Sequence, residues 1–456
     1  MKVSISDFKN NDFSFSQAYY AGRVLPHNTE LVPLLSLLEN EPEKGIEFGS
    51  DNYVDSRYIN SVPFVKISDI WEGQFTFNTS RETELVAPLK NYKSLNNGDF
   101  VIQTASKQLG KISLYIGQKS VTYNSHLRII RFKKFHFYLL AFFNSQLGLN
   151  QFIQRGSIQG VDNFSKKTFD NLLVPIPPKE SLDKISQLSQ KIVEIEKQMW
   201  TIRKIINEIF DNHVGVNGEQ LLLTQRKNSV VSINQLSERA WNFREHSHDF
   251  SQLISRIIDA SYLSPEYLDV NKIRGGNTPK QRFIGETSEY ETHWITPTDF
   301  DDFGFIEEKQ SIASTSLKNI DRPTLMVVNR TSRSNGEYVG IAGYIDGHRL
   351  AHNNQGVYCY DDASKEHLLY LTALINSNLY RYLFQSMGKG SKMREIRSSD
   401  LARIPMLKLK QDKENDIITL MSNQSKNGYL DLAQERARIK SEIEKYFSTG
   451  IFLETP

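Results

Sequence analysis

Between Glu180 and Asn212 the apolar residues alternate at spacings of three and four. Ile185, Ile192, Met199 and Ile206 hold one heptad position, and Leu188, Ile195, Ile202 and Ile209 follow each of them by three residues. That seam, kept over about four heptads, predicts a coiled-coil helix of roughly 45 to 50 Å at 1.5 Å per residue. Pro175-Ile176-Pro177-Pro178 stops anything helical from running into it, because proline restrains both itself and the residue before it. A second helix is predicted over Asn415 to Phe447, with Ile418, Met421, Leu432, Ile439, Ile443 and Tyr446 as its apolar positions. Arg436 and Gly428 interrupt that stripe, so a break is expected near Asn427-Gly428. The simplest partner for the first helix is the second, folded antiparallel; homodimerisation through the first helix is the competing arrangement.

Outside the helices, short Val-, Ile- and Tyr-rich runs separated by turn residues predict strands, as at Val62 to Ile70, Phe100 to Gln103, His293 to Thr296 and Leu325 to Asn329. Helical stretches are expected over Phe135 to Gln154 and Lys365 to Met387. The runs recur in order. Val3-Ser4-Ile5 returns as Val231-Ser232-Ile233, and Phe13-Ser14-Phe15 as Trp241-Asn242-Phe243. Ser68-Asp69-Ile70 matches Thr298-Asp299-Phe300, and Ser106-Lys107-x-x-Gly110 matches Ser332-Arg333-x-x-Gly336. Ala141-x-x-Asn144-Ser145-x-Leu147 returns as Ala373-x-x-Asn376-Ser377-x-Leu379, and Asp170-x-x-x-Val174-Pro175 as Asp400-x-x-x-Ile404-Pro405. Anchors in one order at nearly one separation indicate a tandem duplication with diverged halves. The expected fold class is α+β, with two similar α+β domains joined by two long helices that form an antiparallel coiled coil. The segments are 1–178 for the first domain, 179–217 for the first long helix and linker, 218–408 for the second domain, and 409–456 for the second long helix and tail.

Composition narrows the class. The 456 residues are 39% hydrophobic and 24% charged, as in ordinary globular proteins, and their net charge is only +2. Any basic surface must therefore come from local clustering. One cysteine, Cys359, lies in the strand-like run Gly356 to Tyr360 and excludes an internal disulfide or a cysteine zinc site. The acidic residues of the N-terminal run do not fit a secretory signal. The longest apolar run, Phe135 to Phe143, is interrupted by His136 and falls short of the roughly 20 residues of a membrane helix. A soluble, cytoplasmic protein is expected.

Catalytic chemistry is sparse. Gly388-Lys389-Gly390-Ser391 lacks the spacing of a phosphate-binding loop, and no His-Glu-x-x-His zinc helix or Asn-Pro-Pro-aromatic methyltransferase tetrapeptide occurs. His246-Ser247-His248 lacks an evident third metal ligand. Asp299 with Asp301 and Asp302 offers carboxylates for magnesium, but Asp69 stands alone at the matching place, so Asp69 and Asp299 read as capping residues. No catalytic residue and no metal site is assigned.

The polar, cationic loops are more informative. One set is Ser106, Lys107, Gln108 and Lys111, matched by Arg330, Ser332, Arg333 and Asn335. A second set follows the helical stretches: Arg155, Ser157 and Gln159, and Lys389, Ser391, Lys392 and Arg394. Arginine suits guanine, glutamine and asparagine suit adenine, and serine serves either, while the cations suit phosphate.

In these motifs and their order, the chain resembles the specificity subunits of type I restriction–modification systems over nearly its whole length. The resemblance rests on Gly276-Asn277-Thr278-Pro279 leading to Trp294-Ile295-Thr296-Pro297-Thr298-Asp299, on Phe64-Val65-Lys66-Ile67-Ser68-Asp69-Ile70, and on Val174-Pro175-Ile176-Pro177-Pro178 running into a long helix. The second exit, Ile404-Pro405-Met406-Leu407, lacks the double proline, and Lys179-Glu180-Ser181 stands where the family has Glu-Gln. The resemblance implies two target recognition domains that read a bipartite double-stranded DNA target. It implies helices that space the domains and dock DNA adenine methyltransferase subunits, so that changing the length of 180–212 alters the target's spacer. It implies a non-catalytic chain that binds no cofactor directly, with S-adenosylmethionine held by the methyltransferase partner and cleavage left to a restriction/translocase subunit. The competing readings are a duplicated non-DNA scaffold and a self-contained nuclease built on Asp299, Asp301 and Asp302 or on His246 and His248.

Overall fold

The computed structural model describes residues 30–49, 52–54, 61–70, 74–79, 84–86, 93–104, 110–119, 121–156, 169, 172–223, 245, 247–278, 284–286, 292–300, 305–307, 310–312, 320–331, 339–347, 350–389, 394–422 and 428–448. The helices and sheets are mixed as an α+β chain requires. The chain forms two compact units, one of residues 1–198 with 434–456, the other of residues 199–433. Both boundaries fall inside helices, so neither unit ends where a long helix begins.

In the first unit β1 (Glu30–Pro33) pairs antiparallel with β11 (Leu173–Ile176). A five-stranded sheet has the order β2 (Glu43–Lys44), β10 (Leu127–Ile130), β7 (Phe100–Gln103), β8 (Ile112–Tyr115), β5 (Thr76–Phe77). A four-stranded sheet has the order β3 (Tyr53–Val54), β6 (Glu84–Val86), β4 (Val62–Val65), β9 (Thr122–Tyr123). Every residue of β7 and β8 is buried, the polar Gln103 and Ser113 included.

The stretch expected as one helix is two, α1 (His136–Asn144) and α2 (Gln146–Gly156). The repeated Asn-Ser pair makes the break. Ser145 Oγ accepts the Gly148 N–H at 3.2 Å, capping α2, and Asn144 Nδ2 donates to Ile112 O of β8 at 2.9 Å.

The first long helix is α3 (Lys179–Val214), 36 residues whose first 20, to Gln198, belong to the first unit. Ile185, Leu188, Ile192, Ile195, Met199, Ile202 and Ile206 are all buried, as the seam requires. Ile209 is not: it is half-buried, and Phe210 (0% exposed) and Val214 take over the inner face. An α-helix has 3.6 residues per turn, so a 3.5-residue seam rotates by about 20° per heptad until the next position along faces inward.

The second unit contains the helices α4 (Gly218–Leu223) and α5 (His248–Ala260) and two four-stranded sheets. One sheet has the order β12 (Arg274–Gly275), β20 (Val357–Tyr360), β16 (Thr324–Val328), β18 (Ala342–Ile345). The other has the order β13 (Ile284–Glu286), β15 (Gln310–Ile312), β14 (Thr292–Ile295), β19 (Ala351–Asn353). Its paired helices are α6 (Lys365–Ile375) and α7 (Asn378–Met387), again broken at Asn376-Ser377. Ser377 Oγ accepts the Tyr380 N–H at 3.5 Å, and Asn376 both donates to Ala342 O at 2.7 Å and accepts from Ala342 N–H at 3.0 Å. In each unit a buried tyrosine hydroxyl donates to the exit proline's carbonyl, Tyr138 to Pro175 and Tyr380 to Pro405. The short helix α8 (Ser398–Ala402) leads to that second exit.

The second helical region is divided into α9 (Gln411–Met421) and α10 (Tyr429–Ser448), with 423–427 outside the described residues. In α9 the inner face is set by Ile417 and Met421 rather than Ile418, and in α10 by Phe447 rather than Tyr446. Within the first unit α3 and α10 run antiparallel, joined by Lys191–Glu435 at 2.5 Å and Lys184–Glu442 at 4.0 Å. Arg436, expected to interrupt the stripe, is instead buried beside Glu196 of α3, Nη1 to Oε1 3.6 Å. No helix among the described residues is long and apolar enough to cross a membrane.

Candidate nucleic-acid interface

Each unit roots a polar connection on the same framework. In the first, β4 and β9 pair in parallel as Phe64 with Thr122 and Val65 with Tyr123; in the second, β14 and β19 pair as Trp294 with His352 and Ile295 with Asn353. A 3-10 turn follows β4 at Ile67–Asp69 and β14 at Pro297–Asp299. Asp69 closes the first by accepting the Lys66 N–H at 2.6 Å, and Asp299 closes the second by accepting the Thr296 N–H at 2.6 Å and its hydroxyl at 2.7 Å. Both aspartates cap turns, as their lone and matched positions predicted.

Beyond the parallel strand, Asn124 donates its N–H to Val65 O at 2.9 Å and accepts the His126 N–H at 2.8 Å on Oδ1. Asn354 does the same with Ile295 O and Gly356 N–H, both at 2.8 Å. These asparagine turns hold the connections. Thr104 donates its N–H at 2.8 Å and its hydroxyl at 2.9 Å to His126 O, and Asn329 donates its N–H to Gly356 O at 3.0 Å. Neither asparagine stands out locally, although the residues they bridge, Val65 to Asn124 and Ile295 to Asn354, repeat at identical separation.

The far ends also correspond. Gly110 has φ +86 and donates to Gln103 O at 2.9 Å; Gly340 has φ +84 and donates to Val328 O at 2.8 Å. A Cβ on Gly110 would lie 2.2 Å from the Phe152 ring, and one on Gly340 would lie 2.4 Å from Phe384. The counterpart of Gly110 is therefore Gly340, not Gly336 as the sequence match had it; Gly336 lies outside the described residues. The match failed because the connection is seven residues long in the first unit (104–110) and twelve in the second (329–340), which shifts every later position.

In the second unit this longer connection begins with β17 (Arg330–Thr331), which pairs antiparallel with β21 (Arg394–Glu395). Ile396 N–H donates to Asn329 O at 2.9 Å, and Lys389 and Glu395 exchange backbone bonds at 3.0 and 2.9 Å. Two loops that the sequence marked separately are thus stitched into one surface. On it, Arg330 Nη2 meets Glu395 Oε2 at 2.8 Å, Lys389 Nζ meets Asp400 Oδ2 at 3.2 Å, and Arg394 Nη1 reaches Gln385 O at 3.4 Å. Asp400 also accepts the Arg397 N–H at 3.2 Å, capping α8. Ser332, Arg333, Asn335, Ser391 and Lys392 lie outside the described residues.

In the first unit, Ser106, Lys107, Gln108, Ser157 and Gln159 lie outside the described residues, and Arg155 belongs to the last turn of α2. Lys111 departs from expectation. It is 4% exposed, and its carbonyl accepts the Gln103 N–H at 2.8 Å, next to β7 and β8. Of the metal candidates, Asp301, Asp302 and His246 lie outside the described residues, and Ser247 caps α5 by accepting the Phe250 N–H at 3.2 Å. Among the described residues no group of three or more His, Cys, Asp and Glu could hold a metal. Cys359 is buried in β20, which pushes its thiol pKa up, away from the reactive thiolate.

No protein-family model and no curated protein matches the sequence. Solved structures of type I restriction–modification specificity subunits resemble the chain over most of its length. The HsdS subunit from Thermoanaerobacter tengcongensis is 14% identical with a TM-score of 0.29, over 95% of this chain and 98% of that one. The type I S subunit from M. genitalium is 11% identical with a TM-score of 0.31, over 94% and 96%. A chain from work on complex assembly and conformational transition of the type I R-M system is 14% identical with a TM-score of 0.29, over 94% and 99%.

Proposed function

We propose that the chain is the DNA sequence-recognition subunit of a type I restriction–modification complex, a tandem duplication in which each unit reads one half of a bipartite double-stranded target. The observation that carries this reading is a repeated framework with unlike connections rooted on it. The parallel strand pair, the capped 3-10 turn, the asparagine turn and the positive-φ glycine recur, while the connection between them has seven residues in one unit and twelve in the other. A constant scaffold bearing divergent polar loops is how one fold comes to recognise two different sequences. Phosphate contacts would supply affinity and base contacts specificity.

The chain performs no chemistry of its own on this reading. The long helices, paired as an antiparallel coiled coil, dock DNA adenine methyltransferase subunits that hold the S-adenosylmethionine, and a restriction/translocase subunit adds cleavage. The test is co-expression with a DNA adenine methyltransferase subunit of a type I system from the same genome, in a methylation-free bacterial host, followed by mapping of modified adenines. A new split motif that depends on this chain is expected. An assembled complex that leaves no new methylation would overturn the reading and favour a scaffold.

A further inference from the structure

We infer that Arg330 and Glu395 together read one G·C base pair in the half-site of the second unit, Arg330 donating to the guanine and Glu395 both fixing Arg330 and accepting from the cytosine amine. The inference rests on the DNA-reading proposal above and names residues that decide its specificity.

Three observations lead to it. First, the pair is held by backbone on both sides. Arg330 and Glu395 are direct partners in the β17–β21 ladder, Asn329 and Arg330 donate their N–H groups to Gly356 O at 3.0 and 3.3 Å, and Ile396 N–H bonds Asn329 O at 2.9 Å. Residues at the fixed root of a connection keep the geometry that base recognition demands better than residues at its tip.

Second, the pair faces outward, with side-chain exposures of 34% for Arg330 and 40% for Glu395. The guanidinium gives Nη2 to Oε2 of Glu395 at 2.8 Å and has no other side-chain partner among the described residues. Nη1 and the second Nη2 hydrogen remain as donors, a fork of the kind that matches O6 and N7 of guanine.

Third, a half-exposed carboxylate stands amid Arg330, Lys389 and Arg394. A surface built only for phosphate would be weakened by it, since like charges repel. Asp400 needs no such explanation, because it is mostly buried and caps a helix. Glu395 caps nothing, and its second oxygen has no partner among the described residues. A carboxylate oxygen beside a guanine-reading arginine is placed to accept from cytosine N4 of the same base pair.

The experiment is selection from a randomised duplex library by the full-length chain, followed by sequencing, for the wild type, Glu395→Gln and Arg330→Lys. The glutamate change is nearly isosteric and the arginine change keeps the positive charge, and thermal melts followed by circular dichroism verify that each variant is folded. The wild type is expected to select a split motif. Both variants are expected to lose roughly tenfold preference at one and the same base pair, within the range a bidentate contact discriminates, and to leave the other half-site unchanged. Unaltered base preferences in Glu395→Gln, with tighter binding to all duplexes alike, would reduce Glu395 to a repelling surface charge and overturn the inference alone. Losses at different base pairs in the two variants would also overturn it. A wild type that selects no motif would remove the DNA-reading proposal and this inference with it.

Discussion

The buried pair Glu196–Arg436 shows how one residue's meaning depends on its partner. Arg436 breaks an apolar stripe when α10 is read alone, yet it is 1% exposed and lies against a glutamate that is 0% exposed. Burial raises the Glu196 pKa, while Arg436 and the hydrogen bonds from Phe75 N–H at 3.2 Å, Thr76 N–H at 2.7 Å and the Thr76 hydroxyl at 2.7 Å pull it back down. The second unit carries no copy of this pair. The separation that takes Phe210 to Phe447 and Asn207 to Glu444 takes Glu196 to Ala433 and Arg436 to Met199, both buried and apolar. Arg436→Met should cost about 3 to 5 kcal/mol, the penalty for leaving a buried charge without its partner. Adding Glu196→Gln should recover part of that loss, because the amide oxygen still accepts from β5 without a charge to neutralise. Urea denaturation of the two single variants and the double variant measures the coupling; additive losses would mean the two side chains act separately.

At the scale of elements, the Asn-Ser pairs and the two positive-φ glycines do the same work in each unit. The serine ends one helix and caps the next, and the asparagine ties the break to a sheet strand. Gly110 and Gly340 let the hairpin turn beneath an aromatic ring that leaves no room for a Cβ. Gly340→Ala and Gly110→Ala should each destabilise by about 2 kcal/mol or more, combining a left-handed backbone that alanine disfavours with displacement of a packed ring. Gly98 supplies the control. Its φ is +92 but nothing lies within 4 Å of a Cβ, so Gly98→Ala should cost only about 1 kcal/mol of conformational strain. Thermal unfolding of the three variants separates the steric part from the backbone part, and equal losses in all three would remove the ring contact from the account.

For the whole molecule, the proposed function makes each unit's polar connection the reader of one half of the target. The asparagine turns give a way to disturb each loop at its root without touching its residues. Asn124→Ala removes the acceptor for His126 N–H, whose carbonyl holds Thr104, and Asn354→Ala removes the acceptor for Gly356 N–H, whose carbonyl holds Asn329. Each substitution is expected to relax base preference in one half of the target and leave the other intact, read by mapping methylated adenines in the co-expressed complex. Relaxation of both halves by either variant would contradict independent reading by the two units.

Short-range patterning was legible along the chain. Heptad spacing placed α3 and its inner face, Pro175 to Pro178 placed the entry to it, and recurring Asn-Ser and Asp anchors marked matching helix breaks and capped turns. It missed where each pattern depends on a distant contact. Ile209 yields to Phe210 because the true helical period differs slightly from the heptad, and Lys111, read locally as a loop cation, is buried in the folded unit. Arg436 became a core residue because Glu196, 240 positions earlier, faces it. The joining of the Arg330 and Glu395 loops, 65 residues apart, was likewise invisible to local reading. Strand register and ion pairing across such distances follow from the packing of a whole unit, where many weak contacts are satisfied together, so only the tertiary structure could decide them.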